Sequence, residues 1–299
     1  MTLDTTYTAE SMATTDTTTQ LPDWLRQLRK RLVVDVVQQD SRSTGSSLLG
    51  WSSDEAFEAI GGGQACFDEP WRDLSPEDRV LLYCYLNQLG HLEELTEAFS
   101  QIFTSQPPDG EPIVIDLGCG PFTGGLAFAG VLGPEARFDY IGMDRSKTMR
   151  QFGENLAEAA TRDFSESMPS VRRYWTDDLP TFTWPNTRGW RPVIVIVSYL
   201  LASPTLVERE RVTRLVEDIG ELLNRLSYGE VTVLYTNSPR DNVNRNYPAF
   251  RDSLRELDFD ELAHGRGHLR PERTGVNRRL RYGLLYRARQ TTLPLQEAK

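Results

Sequence analysis

The sequence predicts an α/β protein: a mostly parallel sheet with helices on both faces, a C-terminal antiparallel hairpin, and a helical N-terminal extension. Three observations predict it. From about residue 111, short β-branched runs alternate with longer stretches of helical periodicity, the pattern of strands joined by crossover helices. The last two strand-like runs have no helix between them, so they pair as a hairpin. Before residue 109 the apolar residues recur at helical spacing instead.

The first twenty residues are Thr-rich, carry Asp4, Glu10 and Asp16, and contain no apolar run. They are expected to be a disordered leader, not a secretory signal. "PDWLRQLRKRLVVDVV" then spaces Trp24, Leu25, Leu28, Leu32, Val33 and Val36 along one helix face, with Pro22 at its start. "SLLGWSSDEAFEAIGGGQACF" holds a short helix, Ser53 to Ile60, capped by Ser52 or Ser53 and closed by three glycines. Its glycines suggest a lid. From Ser75 to Phe103 the sequence reads as helix again, with a serine cap, a proline at the first position and acids in the first turn.

The second part begins with strand "PIVIDL" and helix "TGGLAFAGVL", then strand "FDYIGMD" and helix "SKTMRQFGENLAEAAT". Strand "VRRYWT" leads into the loop "DDLPTFTWPNTRG". Strands "PVIVIVSY" and "EVTVLYTN" are each followed by a helix, "TLVERERVTRLVEDIGELLNRL" and "YPAFRDSLRELD". The final runs, about Glu261 to Leu269 and Leu280 to Arg289, flank "RPERTGVNR". The organisation is therefore a leader at 1–20, a helical lid or partner surface at 21–108, an α/β domain at 109–290 and a flexible tail at 291–299.

Hydrophobic residues make up 39% and charged residues 25% of the 299 residues, ordinary for a globular chain. The longest apolar run, residues 192–204, is shorter than the ~20 residues that span a bilayer, so no membrane association is expected. Cys66, Cys84 and Cys119 form no CxxC pair, and three histidines are too few and too scattered for a zinc site. Unpaired thiols fit a reducing cytoplasm. The net charge of −10 argues against a chain coated in nucleic acid. Residues 264–289 stand apart, with eight arginines against one acid, Glu272. That ribbon either pairs with the acidic body or offers a surface to an anionic partner such as RNA.

Function is carried by "IVIDLGCGPFTGG". Ligands of an open α/β sheet bind beyond the carboxyl ends of its strands. Gly118 and Gly120 let the backbone approach a ligand closely. The helix that begins near Phe122 or Thr123 offers free N–H groups and a positive dipole end. A dinucleotide loop would place a third glycine where Thr123 stands, and it has no use for Asp116. An acid at this strand tip suits a cationic ligand.

"VIDLGCGP" resembles motif one of the class I S-adenosylmethionine-dependent methyltransferases. "YIGMD" agrees with it: Asp144 stands where that family places the acid that holds both ribose hydroxyls. In "TDDLP", Asp177 or Asp178 with Leu179 matches the family's adenine contacts. "VSYLLASP" falls where residues beside the transferred methyl often lie. The resemblance covers about residues 110 to 290 and implies a Rossmann-like fold and S-adenosyl-L-methionine as cofactor, with S-adenosyl-L-homocysteine as product. It implies a cofactor site of Asp116, Gly118, Cys119, Gly120, Thr123, Asp144, Arg145, Asp177, Asp178, Leu179 and Ser198. Phe122 replaces a common loop glycine, as in the nicotinamide and phenylethanolamine N-methyltransferase branch. It is expected to pack over the methionine moiety, or else Gly124 and Gly125 supply flexibility one turn later.

The acceptor is less legible. "SYLLASP" departs from the Asn/Asp-Pro-Pro-aromatic pattern of DNA and amide-nitrogen methyltransferases. No acids suited to a metal lie near it, so no metal is expected, and Cys119 lies within the cofactor loop, where it is no nucleophile for pyrimidine carbon. Transfer governed by positioning remains. Candidate catalytic residues are Tyr199, Tyr235 and Asn237, with Ser198 and Arg240 as further wall residues. A small molecule or protein is the expected acceptor, ahead of RNA. The alternatives are a non-catalytic protein that keeps the cofactor, and another transfer or a nicotinamide-dependent oxidoreductase.

Overall fold

The computed structural model describes residues 18–103, 110–184, 190–226, 228–271 and 278–289. In chain order the strands are β1 (Thr18–Thr19), β2 (Ser47–Leu48), β3 (Trp51–Ser52), β4 (Ile113–Leu117), β5 (Arg137–Met143), β6 (Ser170–Thr176), β7 (Arg191–Ser198), β8 (Tyr228–Asn237), β9 (Asp260–Pro271) and β10 (Arg278–Arg287). The α-helices are α1 (Asp23–Arg29), α2 (Asp35–Gln39), α3 (Ser53–Ala59), α4 (Pro76–Tyr83), α5 (Leu89–Ile102), α6 (Thr123–Leu132), α7 (Lys147–Asp163), α8 (Arg209–Leu226) and α9 (Tyr247–Arg255).

The main sheet has the order β1-β9-β10-β8-β7-β4-β5-β6. β4 pairs parallel with both β5 and β7, β5 with β6, and β7 with β8. β10 then runs antiparallel to both β8 and β9. Chain order reverses between β4 and β7, so the loops after these strands diverge and open a crevice at that point. The expected parallel sheet and terminal hairpin are both present, and the strand bounds agree to within two residues.

Alternation along the central strands divides the core. Ile113, Ile115 and Leu117 of β4, with Val193, Val195 and Val197 of β7, face a cluster that includes Val212, Leu222, Phe250 and Leu254 of α8 and α9. Val114, Ile194 and Ile196 face the other side, against Leu25, Phe99, Leu126 and Leu156. Both faces are covered, so these strands read as continuous apolar runs.

The N-terminal region docks on this second layer. It also holds a small core of its own, including Val33, Val37, Ile60, Leu74 and Leu82, which Met149 of α7 completes. Both expected helix caps are real capping boxes: Ser52 with Glu55, and Ser75 with Asp78. The first helix is not regular. π-turns at Lys30–Val34 and Cys84–Gln88 interrupt the two long helical stretches. Arg29 spans between them, donating to the carbonyls of Cys84 at 2.7 Å and Tyr85 at 3.1 Å. The expected leader departs from its bounds at one point: Thr18 and Thr19 pair parallel with Arg270 and Pro271. Residues 1–17, 272–277 and 290–299, where the leader, the hairpin connection and the tail were expected, lie outside the described residues. Among the described residues, no helix is long and apolar enough to cross a membrane.

At the end of the sheet opposite the crevice, Asp139 of β5 is 1% exposed. It accepts from Arg172 Nε at 2.6 Å and Nη2 at 2.8 Å, and it also pairs with Arg191. Arg191 continues to the Pro112 carbonyl at 3.2 Å. One buried carboxylate thus ties β5, β6, β7 and the entry to β4. Asp139→Ala leaves the partly buried Arg191 and the half-exposed Arg172 without their shared counter-charge and is expected to cost about 1.5–3 kcal/mol, read as a lower denaturation midpoint at unchanged slope. A loss below about 1 kcal/mol would show that the cluster is not a structural tie.

Candidate functional site

The crevice holds a cavity of about 500 Å3, within the range of small-molecule sites. Its floor is the carboxyl ends of β4, β5 and β7: Gly118, Gly120, Met143, Asp144 and Ser198. Its outer wall comes from the N-terminal region, Gly63 to Asp68 and Tyr83.

The loop after β4 is held from below. Gly118 N–H and Cys119 N–H both donate to the Met143 carbonyl, at 2.8 and 3.0 Å. Gly118 and Gly120 have φ of +69° and +50°, values that glycine adopts without strain. Asp144 closes the loop from above. Its Oδ2 accepts from Gly120 N–H and its Oδ1 from Ser146 N–H, both at 2.9 Å. Burial pushes the Asp144 carboxyl above its ordinary range, against the backbone donors and the Arg150 charge, which lower it. Each carboxylate oxygen has a second acceptor position, so Asp144 can still receive a ligand hydroxyl. Arg150 donates to the Asp144 carbonyl and reaches Asp177 at 3.4 Å, linking the loops after β5 and β6.

Asp116 is placed differently from the expectation that it meets the ligand. It is 3% exposed and does not line the cavity. Tyr140 Oη donates to its Oδ2 at 2.8 Å, and Gly124 N–H at the start of α6 also bonds to it. A side chain on Gly124 would stand 2.4 Å from that oxygen. Phe122 is likewise turned away. It caps α6 in a left-handed conformation, φ +66°, and its ring packs edge-on against Tyr140 and Trp175. A Cβ on Gly125 would lie 2.0 Å from the ring. The two glycines give room for Asp116 and Phe122, and flexibility is not their role.

The other expected residues divide. Arg145 and Ser198 line the cavity, and Ser198 Oγ accepts from Thr236 Oγ1 at 2.9 Å. Asp177, Asp178, Cys119 and Thr123 do not line it, and Leu179 lies in the core beneath β4 and β7. Cys119 and Thr123 are both buried, and burial pushes the Cys119 thiol up. Tyr235 and Asn237 are fully buried and belong to a structural knot. Tyr235 Oη donates to Asn244 Oδ1 at 2.6 Å, Asn237 Nδ2 donates to Tyr235 Oη at 3.0 Å, and Tyr235 stacks on Tyr247 at 4.5 Å. Neither lines the cavity.

Tyr199 does meet it. It adopts φ +60°, uncommon for a residue with a side chain, and its backbone N–H is fixed to the Thr236 carbonyl at 2.9 Å. This throws the ring between the main cavity and a second chamber of about 450 Å3. The ring stacks on His91 at 4.1 Å and donates from Oη to Glu94 at 3.1 Å. His91 Nδ1 and Tyr83 Oη are 3.3 Å apart, and burial pushes the Tyr83 phenol up. Sequence reasoning missed Tyr83, His91 and Glu94. The available signal was the spacing of Tyr83, Asn87 and His91, four residues apart on one helix face.

The outer wall is fastened at two points. Asp68 accepts from Lys147 and Thr148 N–H groups and from the Ser146 and Thr148 hydroxyls, an anion at the positive end of α7. Arg79, 6% exposed, donates to the carbonyls of Ala59, Cys66 and Glu69. The glycine-rich wall is therefore clamped on both sides.

In the arginine ribbon, Arg266 and Arg281 both pair with Asp241, at 3.2 and 3.1 Å. Arg287 is buried over Phe259 and Arg289 lies over Trp190. Among the described residues, no group of three His, Cys, Asp or Glu is placed to hold a metal ion.

No family model matches the chain, and no curated protein matches it. It is similar to solved structures of S-adenosylmethionine-dependent methyltransferases. One is from Leishmania major, 12% identical, covering 78% of this chain and 91% of that one at TM-score 0.41. The plantazolicin methyltransferase BpumL, in complex with S-adenosylhomocysteine, is 14% identical, covering 89% and 99% at TM-score 0.43. The CMeT domain of the citrinin polyketide synthase is 12% identical, covering 91% and 81% at TM-score 0.43.

Burial pushes the Asp116 carboxyl up to about 7, opposed by the Tyr140 hydroxyl and aided by the Asp144 charge. The folded-state value lies above the unfolded one, so this group's contribution to stability falls as pH rises from about 4 to about 7. Asp116→Asn keeps an acceptor for Tyr140 and does not titrate. Its stability relative to the parent is expected to improve from pH 5 to pH 8, by up to about 2.5 kcal/mol. Parallel stability curves for the two proteins over that range would refute the assignment.

Proposed function

We propose that this protein is an S-adenosyl-L-methionine-dependent methyltransferase acting on a small molecule or a protein. The observation that carries the reading is the placement of Asp144, a half-buried carboxylate at the tip of β5. It lines a cavity together with the bare backbone of Gly118 and Gly120, which lies directly beside it. A carboxylate with one free acceptor position on each oxygen suits a pair of vicinal hydroxyls. Positive-φ glycines suit close passage of a chain beside the loop. Met143, Met149, Phe67 and Leu200 add apolar wall for a nucleoside. The donor set therefore fits the cofactor.

When bound, the cofactor supplies a methyl group made electrophilic by its sulfonium. This chain's residues contribute placement. Asp144 fixes the ribose end, and Ser198 and Tyr199 at the tip of β7 border the reacting end. The wall from Gly63 to Asp68, clamped by Arg79 and by the N-terminus of α7, covers the cavity and excludes water. Alignment and desolvation of this kind supply much of the acceleration in a displacement reaction. Asp116 acts from beneath, by fixing the start of α6.

Calorimetry with S-adenosylhomocysteine tests the cofactor. The parent is expected to bind it. Asp144→Ala removes hydrogen bonds to a charged group, each worth about 1.5–3 kcal/mol, and is expected to weaken binding at least a hundredfold by that measure, ~3 kcal/mol. Binding of NADH with no response to S-adenosylhomocysteine would overturn the reading. Turnover to S-adenosylhomocysteine separates an enzyme from a protein that merely holds the cofactor.

The pairing of Arg266 and Arg281 with Asp241 disfavours RNA as acceptor. Filter binding at low salt is expected to retain no RNA. Retention that falls with salt, with a log–log slope of about −0.7 per single-strand phosphate contacted, would restore the RNA reading.

A further inference from the structure

Beside the main cavity lies the second chamber, and the two share Gly63, Gln64, Tyr83 and Tyr199. We propose that this chamber binds the methyl acceptor, and that the acceptor is a small molecule bearing a carboxylate or phosphate group. The inference rests on the cofactor lying in the main cavity, as set out above.

The charge of the chamber is the first observation. Arg240 and Arg279 both line it, and no aspartate or glutamate does. The chain as a whole has 43 acids against 33 basic residues, so a carboxylate-free chamber runs against its composition. Among the described residues, no carboxylate pairs with Arg240 or Arg279. The nearest candidate in sequence, Asp241, is taken by Arg266 and Arg281. Asp241 is thus shared by the two neighbours on the ribbon and does not pair with the two cations at the chamber. A guanidinium presents a planar fork of donors that matches carboxylate and phosphate oxygens.

The second observation is the partition. Two phenol rings, Tyr83 and Tyr199, stand on the boundary between the chambers. Tyr199 is held there by a strained left-handed backbone and by its stack on His91. Strain of this kind persists only where the surroundings over-determine it, and it gathers at functional sites. Phe57, 51% exposed, and Leu86 supply apolar surface beside the cations. The chamber therefore suits a ligand with an apolar or aromatic body and one anionic group. Its anion would sit at Arg240 and Arg279 and its reactive atom toward Tyr199 and the main cavity.

The test uses the full chain saturated with S-adenosylhomocysteine. Phenyl phosphate, salicylate and neutral phenol are titrated separately and read by calorimetry. The two anions are expected to bind at least tenfold more tightly than phenol, and the stronger of them identifies phosphate or carboxylate. In the double variant Arg240→Gln/Arg279→Gln, anion affinity is expected to fall at least tenfold while S-adenosylhomocysteine affinity stays unchanged. Both residues are exposed, so the variant should fold, and unchanged S-adenosylhomocysteine binding verifies this. Equal binding of phenol and the anions, or full anion affinity in the double variant, would overturn the proposal alone. Failure of the parent to bind S-adenosylhomocysteine would overturn the cofactor reading and this inference with it.

Discussion

A buried carboxylate at the end of the central strand sets the geometry on which the site depends. Asp116 leaves β4 pointing into a space closed by Tyr140 and by the first turn of α6. An acid this deep is costly unless donors surround it. A phenol hydroxyl and a helix N–H meet that need, and they do so only if α6 starts at the right place and angle. Gly124 permits the approach, because a side chain there would collide with the carboxylate. Phe122 then turns through a left-handed backbone and fills the gap between β5, β6 and α7, over Gly125. The loop from Gly118 to Gly120 is left stretched between this anchor and the Met143 carbonyl, with its backbone facing the cavity. The loop's shape is thus a consequence of packing beneath it.

A second layer of control comes from the N-terminal region. It is not a separate body beside the α/β domain, because its small core is completed by Met149 and its Asp68 caps α7. Capping stabilises the helix and places the wall in one step, since the carboxylate that accepts from the helix also positions Gly63 to Phe67. The π-turn at Cys84–Gln88 shifts the register of the long helix at the point where Tyr83, Asn87 and His91 face the chambers. Such turns are frequent at functional sites because they re-aim side chains within an otherwise regular helix.

Much of the fold was legible because it rests on local and periodic signals. The apolar runs of β4 and β7 could only be buried strands, and Ser52 and Ser75 announced their helices by cap chemistry. The loop "IDLGCGP" was legible for the same reason, and its Gly118 and Gly120 line the cavity. Asp144, Arg145, Gly118, Gly120, Ser198 and Tyr199 do gather at one cavity. Asp116, Tyr235 and Asn237 looked like site residues because each lies near a strand tip, where ligands of this architecture bind, and Phe122 because it stands in the glycine loop. Their side chains point elsewhere, which periodicity does not report at the ends of strands.

What the sequence determined by itself was the order of elements, the parallel sheet, and the place on that sheet where the loops part to open a cavity. Those follow from hydrophobic period, cap residues and glycine position, all of which act over a few neighbouring residues. Only the tertiary structure decided which polar groups face the cavity and which are consumed in holding it. Tyr140 reaches Asp116 across 24 residues, Tyr199 reaches Glu94 across 105, and Asp68 reaches Thr148 across 80. A side chain's role at such distances depends on what else the fold brings within about 3 Å of it, and no local pattern encodes that.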